Sequence, residues 1–240
     1  MNFKKLSIII PAYNESGTIL KILEKVMEVE LTNGIEKEII VIDDRSKDDT
    51  LAKVKDFQSK QTGCNLQIIE HERNQGKGAA IHSGIREANG DYLIIQDADL
   101  EYDPQEYNQL IVPVLQINAD VVYGSRFAGG NPHRILFFWH SLGNRMLTFF
   151  CNLFSNLNLT DMECCYKLIR TEIAKKLNLK EKRFGCDPEI TIKLSRVPDI
   201  VIYEVGVSYY GRTYAQGKKI NWRDGLRVVY TILKYGLRVG

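Results

Sequence analysis

The 240-residue chain lacks several patterns that mark whole classes of protein. Its five cysteines show no Cys-x-x-Cys spacing and only two are adjacent, so we predict reduced thiols in a cytosolic compartment rather than a disulfide framework. The net charge is only +2, so binding to nucleic acid through bulk positive charge is not expected. Length and composition predict a soluble globular chain with a sizeable core.

Long apolar runs are also missing. The longest candidate, residues 135–159, falls short of the roughly 20 uninterrupted apolar residues that a membrane span needs, because it is interrupted by His140, Asn144, Arg145, Asn152 and Asn156. The first residues lead directly into an apolar strand, without the longer apolar stretch and cleavage site of a signal peptide. We therefore expect a cytoplasmic protein whose segment 135–159 is amphipathic.

Two common phosphate-binding motifs fail residue by residue. A P-loop around Gly76-Lys77 would need glycine at position 71 and serine or threonine at position 78, but those residues are His71 and Gly78. A dinucleotide fingerprint would need Gly-x-Gly-x-x-Gly after the first strand, where residues 11–15 read Pro-Ala-Tyr-Asn-Glu. P-loop phosphoryl transfer and hydride transfer are therefore disfavoured.

Apolar runs of strand length alternate with segments of helical period through the first half of the chain. This alternation predicts an α/β fold with a mostly parallel sheet and crossover helices. The predicted strands are Leu6–Ile10, Ile39–Ile42, Leu66–Ile69, Tyr92–Ile95 and Val121–Tyr123. Capping boxes are predicted at Ser46 with Asp49, and at Asp103 with Pro104 and Glu106.

Polar residues follow each predicted strand, and in open α/β sheets ligands bind beyond the carboxyl ends of the strands. The sequence therefore predicts a binding crevice at that edge. Its segments are Pro11–Glu15, Asp43–Ser46, Arg73–Gly78, Asp97–Asp99 and Gly124–Arg126.

Asp97 and Asp99 place two carboxylates where the fourth strand runs out, and Glu101 offers a third oxygen ligand. Mg²⁺ and Mn²⁺ take oxygen ligands and keep waters and substrate phosphates in their remaining positions. We therefore predict a divalent metal site at Asp97, Asp99 and Glu101. A solvated acidic turn is the alternative for an isolated Asp-x-Asp.

Taken together, these segments resemble glycosyltransferase family 2. The resemblance is carried by Ile8–Glu15, Val41–Thr50, Asn74–Ala80, Asp97–Glu101 and Gly124–Arg126. It implies a GT-A fold over residues 1–212, a mostly parallel sheet with flanking helices, followed by a basic loop and amphipathic helix over 213–240. Asp161–Lys167 and Phe184–Glu189 resemble the branch that transfers sugars to polyprenyl or dolichyl phosphate.

The resemblance implies a nucleoside-diphosphate sugar as the donor, and it implies roles for individual residues. Asp44 is expected to bond base or ribose, and Lys77 to neutralise diphosphate unless it is solvated. The expected donor-binding residues are Pro11, Tyr13, Glu15, Asp44, Asn74, Gly76, Lys77, Gly78, Asp97 and Arg212. The alternative is an ordinary strand-end turn followed by a loop.

Three residues are candidates for contact with the acceptor. Arg126, at a strand end, is the best candidate for an acceptor phosphate, because guanidinium forks match phosphate oxygens. Asp161 would orient a phosphate acceptor or, for a hydroxyl acceptor, act as a general base, with Glu189 as the second candidate base. A structural carboxylate that caps the next element remains the alternative for both acids.

Two further segments suggest contact with a membrane. The aromatic run Phe137–Trp139 lies among the cations Arg134, His140 and Arg145. The alternative for this run is an amphipathic helix that packs on the core.

Loop 210–219 carries three cations and no acid and is predicted to close over diphosphate. After it, an apolar stripe (Trp222, Leu226, Val229, Leu233, Leu237) is flanked by Arg223, Arg227, Lys234 and Arg238. That helix would contact an anionic membrane, the domain or a second subunit.

The sequence therefore predicts a metal-dependent, inverting hexosyltransferase that uses Mg²⁺ or Mn²⁺. It would move a hexose from a nucleoside-diphosphate sugar to polyprenyl phosphate, peripherally bound at the cytosolic membrane face. The first alternative is transfer to a hydroxyl of a cell-surface glycan precursor. A sugar-nucleotide pyrophosphorylase is disfavoured because its glycine-rich first loop is missing, and a non-catalytic sugar-nucleotide-binding module remains the last alternative.

Overall fold

A seven-stranded sheet forms the framework of the protein. The computed structural model describes residues 3–61, 65–129, 134–135, 137–211 and 222–237, without the side chains of His140 and residues 222–224. The strands are β1 (Lys5–Ala12), β2 (Glu36–Asp43), β3 (Leu66–Glu70), β4 (Tyr92–Ile95), β5 (Val121–Ser125), β6 (Lys167–Arg170) and β7 (Ile202–Gly206). All five predicted strands are confirmed, and β6 and β7 were not predicted.

The strands are ordered β3-β2-β1-β4-β6-β5-β7. All neighbouring pairs are parallel except those of β6, which is antiparallel to both β4 and β5. The predicted α/β class with a mostly parallel sheet is therefore confirmed. Because β6 lies between β4 and β5 and runs antiparallel to both, the residues just before β6 lie at the same edge of the sheet as the strand-end motifs.

Helices cover the sheet, so the central strands are buried on both faces and are apolar without alternation. The helices are α1 (Ile19–Glu28), α2 (Thr50–Lys60), α3 (Lys77–Glu87), α4 (Tyr107–Ile117), α5 (Phe138–Ser155), α6 (Thr171–Lys176), α7 (Cys186–Leu194) and α8 (Trp222–Gly236). Helix α3 packs closely on β1 because Gly84 has no Cβ, which would otherwise collide with Ile9.

The two predicted capping boxes have different outcomes. The Asp103 side chain accepts a hydrogen bond from the Gln105 N–H at 3.2 Å, which caps the short helix before α4. The predicted box at Ser46 and Asp49 is wrong, because α2 begins at Thr50 and its N–H donates to Asp48 at 3.1 Å.

Helices α5 and α8 pack against each other at the end of the chain, and α8 also packs on α7. Helix α8 buries Val228, Ile232 and Tyr235, whereas Leu226, Leu233 and Leu237 of the predicted stripe are exposed. These three leucines therefore do not pack on the domain, whereas Val229 of the stripe is half-buried. Within the described residues, no helix is long and apolar enough to cross a bilayer.

Candidate active site

A cavity of about 390 Å³ opens at the carboxyl ends of the parallel strands. The parallel register of β1, β2 and β4 brings their polar ends to one edge, as the sequence predicted. Eleven of the predicted site residues line this cavity. They are Pro11, Tyr13, Glu15, Asp44, Asn74, Gly76, Lys77, Asp97, Asp99, Glu101 and Arg126.

Three predicted site residues do not line the cavity, and one lies outside the description. Gly78, Asp161 and Glu189 are placed behind its wall. Gly78 is crowded by the backbone of Glu181 and Lys182, so its missing Cβ makes room for that loop rather than for a ligand. Arg212 and the loop through residue 219 lie outside the described residues, as do Arg238 and the side chains of His140, Trp222 and Arg223.

Asp44 is the centre of a hydrogen-bonded cradle at one end of the cavity. Its carboxylate accepts from the backbone N–H groups of Gln75 at 2.9 Å and Gly76 at 2.7 Å. The His71 Nδ1 lies 2.7 Å from Asp44, and its Nε2 lies 2.9 Å from the Ser83 hydroxyl. Gly76 adopts φ +98°, a conformation that favours glycine and lets this loop approach the cavity closely.

Lys77 and Asp97 form an ion pair on the cavity wall, with 2.6 Å between Nζ and Oδ1. Burial is the largest single effect and opposes both charges, but the attraction and hydrogen bond between the two groups, together with smaller effects of neighbouring groups, outweigh it, so the pKa of Lys77 is raised and that of Asp97 is lowered. Both groups are therefore charged at neutral pH.

The acids Asp97 and Asp99 both line the cavity and have the donor chemistry that Mg²⁺ or Mn²⁺ takes together with diphosphate oxygens. Glu101 lines the same cavity but has a side-chain partner of its own. Its Oε2 accepts from the Tyr209 hydroxyl at 2.9 Å. Across the described residues, no group of three or more His, Cys, Asp or Glu side chains is arranged around a metal position. The pair therefore fits a metal ion that shares its coordination with substrate.

Arg126 and Asp161 form a bidentate ion pair beneath the cavity wall. The Arg126 Nε donates to Oδ2 at 2.6 Å and its Nη2 donates to Oδ1 at 2.7 Å, while the Asn144 amide donates to Oδ1 at 3.1 Å. Burial is the largest single effect and raises the pKa of Asp161, but the charge and hydrogen bonds of Arg126, together with the Asn144 hydrogen bond, outweigh it and hold the pKa below its ordinary value. Asp161 is fully buried and fully engaged, so it positions Arg126 and is not placed to take a proton from a ligand in the cavity.

Glu189, the second candidate base, is a buried structural carboxylate. Its oxygens accept from the backbone N–H groups of Lys180 at 2.8 Å and Glu181 at 2.7 Å, and from the Lys193 ammonium at 2.7 Å. These bonds hold the loop that leads to Arg183 and Phe184, which line the cavity. Its contacts agree with the alternative of a structural carboxylate.

The cavity also contains residues to which the sequence analysis gave no role. Glu163, Asp187 and Tyr209 line it, although Glu163 and Asp187 come from segments far apart in the chain. The ring of Tyr209 lies under the Arg126 guanidinium at 5.2 Å. Both acids stand within the two late segments that carry the narrower family resemblance, which is the one signal that pointed to them.

The comparisons with known proteins agree with this architecture. Glycosyl transferase family 2 matches residues 7–177. The chain is 27% identical over 235 residues to a dolichol-phosphate mannosyltransferase of Pyrococcus furiosus, covering 96% of this chain and 64% of that protein. It is 30% identical over 234 residues to a dolichyl-phosphate beta-glucosyltransferase of Dictyostelium discoideum, covering 90% and 68%. The chain thus spans slightly less than two thirds of the Pyrococcus protein.

Solved structures show the same fold. Glucosyl-3-phosphoglycerate synthase from Mycobacterium tuberculosis, in complex with Mn²⁺ and UDP-glucose, aligns with a TM-score of 0.73 at 17% identity, covering 97% of this chain and 79% of that one. The predicted GT-A fold is therefore confirmed. Given the match over most of its sheet and over the strand ends that form the cavity, the chain belongs to glycosyl transferase family 2.

Proposed function

We propose that this protein is a metal-dependent, inverting glycosyltransferase that moves a hexose from a nucleoside-diphosphate sugar to a polyprenyl phosphate. The observation that carries the acceptor assignment is the Arg126–Asp161 pair. A phosphate nucleophile is already an anion near neutral pH and needs a cation more than a base. The pair presents a fixed guanidinium to the cavity and leaves Asp161 with no capacity to act as a base.

The donor half of the proposal rests on the cavity wall. The Asp44 cradle suits the nucleoside, and Lys77 lies beside the two carboxylates that suit a metal ion. Glucosyl-3-phosphoglycerate synthase, which shares the fold, binds UDP-glucose with Mn²⁺. When bound, the metal ion would act as a Lewis acid on the departing diphosphate. Asp97 and Asp99 are the proposed ligands, and Glu101 is proposed to hold Tyr209 beside Arg126.

Relatives support a lipid acceptor. The two curated relatives described above are named for dolichol or dolichyl phosphate, and a third, from Rhizobium johnstonii, is a dodecaprenyl-phosphate galacturonate synthase with 25% identity over 214 residues. Helix α5 links the cavity to the surface, because its Asn144 bonds to Asp161 and Arg126 while its outer face is apolar. The isoprenoid tail of the acceptor would extend along this face.

Product analysis tests the proposal. The protein with Mn²⁺ is incubated with UDP-glucose or GDP-mannose and with either undecaprenyl phosphate or a soluble oligosaccharide. We expect a sugar–lipid phosphodiester whose anomeric configuration is opposite to that of the donor. An elongated oligosaccharide would instead support the hydroxyl-acceptor alternative. Binding of nucleotide sugar without any product would support a non-catalytic module, and thermal shifts with the same donors identify the preferred base.

The exposed apolar side chains of α5 and α8 are proposed to bind the membrane at its cytosolic face. The side chain of Trp139 is 77% exposed. Large apolar side chains that are exposed together to water mark interaction surfaces. The apolar surface consists of Ile135, Phe137, Phe138, Trp139, Met146, Phe149 and Leu153 in and before α5, and Leu226, Tyr230, Leu233 and Leu237 in and after α8. The exposed cations Arg145 and Arg227 belong to the same two helices and suit anionic headgroups.

We expect the protein to bind vesicles of phosphatidylglycerol and phosphatidylcholine. Phe149→Ser should weaken this binding about 10- to 100-fold, because burial of one large apolar side chain is worth about 1.5–3 kcal/mol. Ile117→Ser is the matched control, since Ile117 is an exposed apolar residue on α4. Cosedimentation with vesicles at low and at high salt separates the apolar contribution to binding from the contribution of charge, because salt screens only the latter. Vesicle binding by Phe149→Ser that equals that of the wild type would contradict membrane docking. Detection by light scattering of a dimer that buries this surface would contradict it as well.

A further inference from the structure

One group of titratable side chains at and behind the cavity wall has no part in binding metal or phosphate as proposed above. It consists of Glu163, Asp187 and Lys167. The fully buried Lys167 ammonium donates to Asp187 at 2.6 Å and to the Cys164 carbonyl at 2.5 Å. Glu163 and Asp187 both line the cavity. Two carboxyl groups therefore face the ligand space, and only Asp187 receives a bond from the lysine.

The Oε1 atom of Glu163 is buried and has no hydrogen-bond partner within the described part of the chain. An unbonded polar atom shielded from water costs free energy, so such an atom beside a cavity indicates a partner that arrives with the ligand. The chain supplies partners to neighbouring acids, as Arg126 does for Asp161. Glu163 thus has a carboxyl oxygen at this wall that remains available to a ligand.

The charges around Glu163 indicate which kind of ligand group fits. Burial first, and the neighbouring Asp187 carboxylate second, raise the pKa of Glu163 to about 8, against the opposing effect of Lys167 and Arg126, with Asp161 adding a further small increase. Glu163 is therefore mostly protonated at neutral pH and offers both a donor and an acceptor. A second anion beside Asp187 would be repelled, whereas a neutral hydroxyl is not repelled and can bond to the Glu163 carboxyl group.

We propose that Glu163 binds a hydroxyl group of the transferred hexose and, together with Asp187, selects a neutral sugar over a hexuronate. The inference rests on the proposed function, because it needs a nucleoside-diphosphate sugar in this cavity. The diphosphate is drawn to the metal ion and Lys77, and the acceptor phosphate to Arg126. The hexose between them is the neutral part of the ligand set and is the part that two carboxyl groups can receive.

The test separates the sugar from the nucleotide. Calorimetry with Mn²⁺ compares UDP with UDP-glucose, or GDP with GDP-mannose if the protein prefers guanine. Glu163→Ala should bind the nucleotide sugar about 2- to 12-fold more weakly and the bare nucleoside diphosphate as tightly as the wild type does, as expected for the loss of one neutral hydrogen bond. Glu163→Gln keeps the shape of the side chain, a hydrogen-bond donor and a hydrogen-bond acceptor, so this variant should retain most of the affinity for the nucleotide sugar. UDP-glucuronate should bind the wild type no more tightly than UDP does.

A second measurement reports the proton on Glu163. A folded pKa above the ordinary carboxyl value means that the native state holds the extra proton between about pH 4.5 and 8, so stability falls as pH rises through this range. Glu163→Gln should flatten this part of the curve of melting temperature against pH. A curve that Glu163→Gln leaves unchanged would contradict the presence of this proton on Glu163.

The outcomes distinguish this inference from the proposed function. If no nucleotide sugar binds the wild type, both fail. If nucleotide sugars bind and Glu163→Ala changes UDP and UDP-glucose affinity equally, the sugar contact fails alone and Glu163 is structural. If Glu163→Ala does not fold, Glu163→Asp, which shortens the side chain by one methylene and withdraws the carboxyl group from the hexose, must show the same selective loss.

Discussion

Asp99→Asn is expected to lower glycosyl transfer on the order of 10³-fold while the protein keeps its fold. Asp99 lines the cavity, and its Oδ1 accepts a local hydrogen bond from the Glu101 N–H at 3.1 Å, so the substitution opens no core cavity. The loss arises because an amide is a weak ligand for a hard cation, and a bound metal supplies several kcal/mol to the transition state. Initial rates with Mn²⁺ and the melting temperature measure the two effects separately.

Asp103→Asn is the matched control for this variant. It makes the same chemical change four residues further on, outside the cavity, and asparagine caps a helix about as well as aspartate does. Its activity should stay near that of the wild type. Full activity of Asp99→Asn, or of the wild-type protein in excess chelator, would overturn the metal assignment.

Arg126→Ala should lower the free energy of unfolding by about 3–5 kcal/mol at neutral pH, because it leaves the Asp161 charge buried without its cation. Lys25→Ala is the control, since its ion pair with Asp103 is partly exposed and worth at most about 1 kcal/mol. Urea unfolding gives both values. Asp161→Asn should cost less than Arg126→Ala, because arginine at the cavity wall regains contact with water.

The sign of the pH effect follows from the lowered pKa of Asp161. The ion pair stabilises the wild type above the ordinary carboxyl pKa of 3.8, and this contribution is lost as the pH falls through the lower folded value. In Arg126→Ala the buried carboxyl takes up a proton more readily. The stability difference between the two proteins should therefore shrink toward pH 4, and a difference independent of pH would contradict the uncompensated-charge explanation.

Arg126→Ala also tests the acceptor site. With the variant folded at low temperature, the affinity for nucleotide sugar should survive while the apparent affinity for polyprenyl phosphate falls, since a charge-assisted phosphate contact is worth roughly 1.5–3 kcal/mol. The informative comparison is between the two affinities in one preparation. Loss of nucleotide-sugar affinity instead would assign Arg126 to the donor.

Local sequence pattern was enough to predict the strands that build the cavity and most of the residues that line it. Buried parallel strands are continuous apolar runs, and their carboxyl ends meet at one edge, so Asp44, Lys77 and Asp97 could be grouped before any contact was known. The same pattern failed for β6, because a strand of four residues that begins with the buried Lys167 carries too short an apolar run.

Pairing between distant residues was decided by the tertiary structure alone. The sequence does not show whether a carboxylate binds a ligand, a cation or backbone N–H groups. Only the packing shows that Asp161 and Glu189 are hydrogen-bonded within the protein, whereas Glu163 lies at the cavity wall. Similarly, the amphipathic pattern of α8 was visible in the sequence, but which face it buries depends on where α5 and α7 lie. Apolar periodicity thus determined the layers of this protein, while the roles of its charged groups depended on neighbours that fold together from far along the chain.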